Sequence, residues 1–406
     1  MLTIKDSKIN YYAFLWHAAF LSLASSFMDI DTIIPSMVIQ AGGSSIHLGF
    51  ITAIMLGSST VFQLFFASYL SKKTNKKFFL LAGIYLRVAA LFMLAYLFFE
   101  EKNLPPSLTL ILIFIIISVF SVSGSFAGVS YTDILGKSII KTYRKKFFSV
   151  RQIISSLGML LSSFIVRYLI RIFNYPTNYF YLFVIAGILL LTASSGFLKI
   201  KEPSIKPKNK KNFFDTIKSI PDEIKKNKNL KYYILLINVS SLYFSILPFL
   251  IMYAKENFGL TKEHIGNFLI LRIIGVVITS YFLIKISKSY KFILKLSFSI
   301  GAAIPLIAIL LSNNETLYQI IFIIAGISIA ALKIAKSGIL LEISNNENRA
   351  LYTGITGALN LTILIFPIIS GILIKTLGFK TIFVFASFLV GISVILINKL
   401  DLQNEL

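Results

Sequence analysis

Between Met1 and Leu406 the chain falls into about twelve apolar runs of about twenty residues, six on either side of one long polar stretch from Lys199 to Lys231. A helix of that length rises about 1.5 Å per residue, spans a hydrocarbon core about 30 Å thick and satisfies its own backbone hydrogen bonds there. The chain therefore reads as an all-α membrane protein of about 12 transmembrane helices in two pseudo-symmetric six-helix bundles, residues 1–199 and 232–406, joined by a basic linker, 200–231. The expected spans are about 11–38, 46–70, 78–99, 107–132, 147–170, 178–199, 232–254, 264–285, 292–312, 317–341, 351–374 and 379–398.

Composition agrees, because 56% hydrophobic and 14% charged residues leave too little polar surface to coat a soluble globule of 406 residues. A net charge of +23 on a soluble protein would point to nucleic acid, but here the basic residues collect in alternate loops. With both termini inside, about 30 of the 40 Lys and Arg lie on the inner side, and the outer loops keep Lys102, Arg171, Lys255, Lys262, Lys375 and Lys380. That asymmetry orients a multi-pass protein of the cell (inner) membrane with cytoplasmic termini, its basic face turned to anionic lipids and not to nucleic acid. Cysteine is absent and only three His occur, so disulfides, thiolate chemistry and Cys-bound metals are excluded, and no metal or cofactor is expected. The first apolar run has no small-residue cleavage site and reads as a retained helix.

The stretch from Lys199 to Lys231 carries eleven Lys against Glu202, Asp215, Asp222 and Glu223. Phe213, Phe214, Ile217, Ile220 and Ile224 recur at helical spacing, which suits an amphipathic helix lying on the inner surface; a solvated basic tether accounts for the same residues. The two halves look like repeats. Lys137 and Arg144 stand seven apart before Phe147-Phe148-Ser149, as Glu342 and Arg349 do before Tyr352-Thr353-Gly354, and Gly49 corresponds to Gly266. Weak similarity between two six-helix halves marks a parallel-repeat transporter.

Six helices, a basic loop and six more, with a Lys-rich turn after the second helix, resemble the major facilitator superfamily over nearly the whole chain. The family's motif in that turn, Gly followed by Asp-Arg and a basic pair, is met here only by Ala67, Ser71, Lys72, Lys76 and Lys77, so the basic half is kept while Gly and Asp are replaced. By this resemblance Ser71, Lys72, Lys76, Lys77, Asp133, Arg144, Glu342 and Arg349 are the cytoplasmic gating residues, and the turn, lacking its Asp, cannot form the family's acid and base latch alone. Phe27-Met28-Asp29-Ile30-Asp31-Thr32-Ile33-Ile34-Pro35, Arg144 to Gln152 and Glu342 to Gly354 are similar to a prokaryotic branch of transporters with unassigned substrates.

Function has to be sought among polar residues inside the spans, where an ionisable group costs about 2.5–3.5 kcal/mol unless a cavity or partner receives it. Arg87 and Arg272 lie about 12 Å deep in helices three and eight, too far for easy snorkelling. With Lys333 they are expected to border one water-filled cavity and favour an anionic cargo; the competing explanation for Arg87 is an ion pair with Asp133. Lys336, three residues on from Lys333, can snorkel. Asp133 also has Lys137 four residues on, a local pair needing no transport role. Asp29 and Asp31 are candidates for proton coupling. If the first helix is continuous, Asp29 shares a polar stripe with Ser22, Ser25 and Ser26 and is the better candidate, while His17 is a packing residue. The alternative places both aspartates in the outer headgroup zone. Asn238, Ser240, Ser241, Tyr243 and Ser245 offer hydrogen-bonding groups near mid-membrane, with Asn238 and Tyr243 as candidate cavity residues.

Enzyme chemistry is not expected. Gly136-Lys137-Ser138 resembles the tail of a phosphate-binding loop, but Tyr131 stands where that loop needs Gly, and the segment leaves a membrane helix. The reading is a monomeric secondary active transporter moving a small solute by alternating access, coupled to protons. The alternatives are a proton-driven exporter of amphiphilic compounds, a non-transporting sensor or scaffold, and a lipid flippase on the same fold.

Overall fold

The computed structural model describes residues 3–71, 73–203, 213–285, 289–344 and 349–402. Its helices are α1 (Ile4–Phe27), α2 (Ile33–Gln40), α3 (Ser45–Ser71), α4 (Lys77–Glu100), α5 (Pro106–Ser138), α6 (Lys141–Ile172), α7 (Thr177–Leu198), α8 (Phe213–Lys226), α9 (Lys228–Phe258), α10 (Lys262–Lys285), α11 (Tyr290–Leu310), α12 (Glu315–Tyr318), α13 (Ile320–Ile343), α14 (Arg349–Ala358) and α15 (Thr362–Ile397). Among the described residues ten stretches are long and apolar enough to cross a membrane. The last of them, Leu351–Ile397, holds two passes, because Gly378 at φ 76° turns the chain inside α15, a backbone state open to glycine. The broken pair α1 and α2 supplies the remaining pass. The architecture is thus that of about twelve membrane helices.

The break at Met28–Thr32 overturns the expectation of a continuous first helix. Pro35 has no N–H and crowds the carbonyl four residues before it, which favours a helix start; α2 begins at Ile33, behind Thr32, with Pro35 in its first turn.

The described chain forms two compact units, Met1–Asp29 with Val61–Phe213, and Ile30–Thr60 with Phe214–Leu406. In unit 1, α1 packs on α6 and α7, and α4 on α5 and α7. Phe14, Phe147, Phe183 and Phe197 are fully buried at its centre. Ser22 bonds the Ala19 carbonyl, and a Cβ at Gly158 would meet its Oγ, while Ser26 donates to the Met159 carbonyl at 2.9 Å and accepts from Ser162 at 2.8 Å. The serine stripe of α1 is therefore a seam against α6, not the lining of a cavity.

In unit 2, α9 is enclosed by α15, α11 and α13, and α10 packs on α13. The short α2 lies against α9 and α10. The start of α3 meets α15: Ser45 Oγ donates to the Gly371 carbonyl at 2.7 Å, and a Cβ on Gly49 would run into the Pro367 carbonyl oxygen. Only glycine permits that approach. Two helix starts in this unit are built alike. Ser44 N–H donates to His47 Nδ1 at 3.1 Å, and Thr261 N–H to His264 Nδ1 at 3.2 Å, within Ser44-Ser45-Ile46-His47-Leu48-Gly49 and Thr261-Lys262-Glu263-His264-Ile265-Gly266. Exposed side chains such as Phe78, Tyr96, Phe99, Leu161 and Phe388 present the apolar outer surface that lipid requires.

Candidate functional site

In unit 1, α4 carries Arg87 into the bundle, where its guanidinium lies over the Phe120 ring of α5, 4.1 Å from the centroid. The approach depends on Gly124, one turn after Phe120, since a Cβ there would stand 3.3 Å from Arg87 Nε. That Nε is sealed from solvent and has no hydrogen-bond partner. Among the described residues no carboxylate pairs with Arg87. The proposed partner, Asp133, is engaged elsewhere: its Oδ2 lies 2.8 Å from Lys76 Nζ and is shared with Lys137. Arg151 of α6 lies over the Tyr131 ring at 5.4 Å, and the His17 ring is 5.9 Å from that of Tyr131. His17 itself is a packing residue, its Nδ1 3.2 Å from the Ala193 carbonyl and its ring 4.2 Å from that of Phe197.

Where α4 begins, the basic turn is held by acids from elsewhere in the unit. Glu202 accepts the Lys76 N–H at 2.8 Å and the Lys77 N–H at 2.8 Å, a carboxylate on the open first turn of a helix. Lys77 Nζ reciprocates by donating to the Leu198 and Ile200 carbonyls at 2.7 and 3.0 Å, which closes the end of α7. Before the first span, Asp6 pairs with Lys201 at 2.9 Å. The Thr3 hydroxyl, with Lys201 beside it, holds the Asp6 carboxyl below its ordinary 3.8. Lys72 lies outside the described residues, as do the side chains of Ser71, Arg144 and Arg349 and the linker positions 204–212.

In unit 2 the break after α1 turns Asp31 onto α10, where its Oδ2 meets Arg272 Nη1 at 3.1 Å; both side chains are buried, at 9% and 6% exposure. Asp29 is buried too, but the continuous stripe that favoured it does not exist, and Asp31 reaches a deep cation, Arg272. Lys333 is exposed, whereas Lys336 turns inward with Nζ 3.4 Å from Ser240 Oγ. Glu342 is exposed near the end of α13.

Asn238 and Tyr243 bond their polar atoms to protein partners. Asn238 Nδ2 donates to the Leu359 carbonyl at 2.8 Å, and its Oδ1 accepts from Thr362 N–H at 3.1 Å, which ties together the gap between α14 and α15. Tyr243 is 1% exposed, its hydroxyl 3.0 Å from Ser297 Oγ. Sequence reasoning passed over Tyr131, Arg151 and Glu202. Arg151 could have been found by depth, because it falls inside the fifth expected span; Glu202 carried no such signal. Among the described residues no group of three acidic or His side chains could hold a metal.

The Major Facilitator Superfamily model matches residues 15–314 and 233–401. Among curated proteins none matches the sequence. Solved structures share the fold. A POT family transporter in complex with a thioalcohol conjugated peptide superposes with TM-score 0.71 at 14% identity, covering 97% of this chain and 95% of that one. The nucleoside transporter NupG gives 0.63 at 14%, covering 97% and 100%. A bacterial homolog of the human lysosomal transporter Spinster, inward-facing and occupied, gives 0.65 at 11%, covering 96% and 95%.

Proposed function

Because the chain belongs to the major facilitator superfamily, we propose that it is a secondary active transporter that moves a small, negatively charged solute across the cell (inner) membrane by alternating access, driven by protons. Both termini and the linker face the cytoplasm in this reading, in keeping with the excess of Lys and Arg on that side. The observation that carries the anionic cargo is Arg87, a deep guanidinium with an unspent donor and no carboxylate partner among the described residues. A buried cation without a counter-ion is costly to keep, and a negatively charged solute supplies what the fold withholds.

Asp31 supports the coupling. A proton arriving on its carboxylate cancels the attraction to Arg272, and loss of that proton restores it, so one protonation event makes and breaks a contact between the start of the chain and α10. The test is flux: full-length protein in proteoliposomes, with an imposed proton gradient, is assayed against carboxylates, phosphate monoesters and neutral sugars. Gradient-dependent movement of anions is expected, with uphill accumulation lost and counterflow exchange retained in Asp31→Asn. Movement of neutral sugars alone, or accumulation unchanged in Asp31→Asn, overturns the cargo or the coupling respectively.

A further inference from the structure

We propose that unit 2 carries, at the end away from the linker, a binding site for the headgroup of a primary-amine phospholipid, with Glu256 on the ammonium and Lys380 on the phosphate. The site is a cavity of about 550 Å³, a size usual for ligand pockets, between the last turn of α9 and the glycine turn of α15. Its polar lining is Glu256 and Asn257 from α9 and Lys380 and Thr381 from α15, all four exposed. The buried rings of Tyr253 and Phe379, 5.4 Å apart, give it an apolar floor, and the exposed Leu377 stands at its rim. Gly378 leaves the mouth clear, since a Cβ there would meet nothing within 4 Å. Depth selects the partner. α9 runs from the linker to Phe258 on the opposite side, the outer one when the linker is cytoplasmic, and the cavity straddles the edges of the spans expected at 232–254, 351–374 and 379–398. Polar and apolar surface meet in it at the level where the headgroup layer of a bilayer begins.

The lining groups keep bonding capacity that the protein does not use. Among the described residues no ion-pair contact engages Glu256 or Lys380, although both line the one cavity. Asn257 Nδ2 donates to the Tyr253 carbonyl at 2.7 Å, which leaves Oδ1 as an acceptor, and Thr381 Oγ1 donates to the Leu377 carbonyl at 2.9 Å, which leaves the hydroxyl lone pairs. With the Glu256 carboxylate these make three acceptors, the number that a primary ammonium can use and a quaternary one cannot. Cations gather at the same place. Positive charge is sparse on the outer side of a membrane protein, yet Lys255, Lys375 and Lys380, half of the six outer cations, line the cavity or adjoin a residue that does. One carboxylate flanked by several lysines complements an ammonium joined to a phosphate by a short link, and the apolar floor receives the start of the acyl region.

The test is melting of full-length protein in phosphatidylcholine nanodiscs into which phosphatidylethanolamine or phosphatidylglycerol is titrated. Phosphatidylethanolamine should raise the melting temperature, and the lipid fraction at half-effect should rise about threefold or more in Glu256→Gln and in Lys380→Gln. Lys102→Gln, which removes an outer cation of unit 1, should leave it unchanged. All three side chains are exposed, so the variants should fold, and Glu256→Asp and Lys380→Arg, which keep the charges, should restore most of the response. Phosphatidylglycerol, with a phosphate but no ammonium, should stabilise less and should not respond to Glu256→Gln. No effect of phosphatidylethanolamine on wild type, or the same effect on wild type, Glu256→Gln and Lys380→Gln, overturns the site. Stabilisation by phosphatidylglycerol as strong as by phosphatidylethanolamine overturns the ammonium contact of Glu256. Free phosphoethanolamine that reproduces the full shift in discs of phosphatidylcholine alone gives the cavity to a water-borne solute and overturns the lipid assignment.

Discussion

Arg87 and Arg272 are both deep guanidinium groups, one in each unit, and the two units treat them differently. Unit 2 turns a non-helical segment inward so that Asp31 meets Arg272 at 3.1 Å. Among the described residues unit 1 brings no carboxylate to Arg87 and gives it an aromatic ring at 4.1 Å. The paired arginine is part of what holds the fold, while the unpaired one is a cost that the fold carries for a ligand. The same substitution in the two places should therefore have unlike consequences.

The largest effect is expected from Arg272→Gln, which strands a buried carboxylate and should lower stability by about 3–5 kcal/mol in thermal melts of purified protein, with Asp31→Asn added to it recovering most of the loss. An Arg272→Gln protein that melts like wild type would dissolve the contrast. Gly49→Ala sharpens it without touching charge. The new methyl group would run into the Pro367 carbonyl and should cost about 1–3 kcal/mol, with the Asp31–Arg272 pair intact. Arg87→Gln should change the stability of ligand-free protein by no more than about 1 kcal/mol in either direction while transport of an anionic solute falls about tenfold or more. A marked destabilisation with unchanged transport would put Arg87 in the same class as Arg272.

At the bottom of the scale is the solvent-exposed Asp6–Lys201 pair. A carboxyl whose folded-state pKa is lowered contributes stability above its unfolded value and loses it as pH falls. Asp6→Asn should thus erase a slight stabilisation at neutral pH, with no further effect of the substitution in melts recorded well below pH 3.8.

The parts legible in the sequence were those set by period and length. Twenty-residue apolar runs and short polar turns specify helices whatever they pack against, and the proximity of Asp133 to Lys137 follows from one helical turn. Pro35 hinted at the break after α1 without requiring it, since α9, α11 and α15 each run through a proline; the continuous-helix argument did not use it, and so preferred Asp29. Pairings such as Asp31 with Arg272, or Glu202 with the start of α4, join residues far apart in sequence and depend on packing, which leaves no local pattern. The polar residues of α9 are ambiguous in sequence for another reason: in an apolar interior a hydroxyl or amide bonds its own backbone or a neighbour first, and only what is left over is available to a solute.

The cap that Glu202 places on α4 also sets an order of assembly. The N–H groups of Lys76 and Lys77 find their acceptor in a residue that leaves the ribosome only after the whole of α4, α5, α6 and α7 has been made. Asn10 waits as long, for its amide bonds the Lys201 backbone at 2.9 and 3.0 Å. Until the chain has grown past Glu202, the ends of the first and third passes lack their partners, so this rim of unit 1 is completed late in synthesis, and a truncation before residue 201 should yield helices that insert but do not lock together.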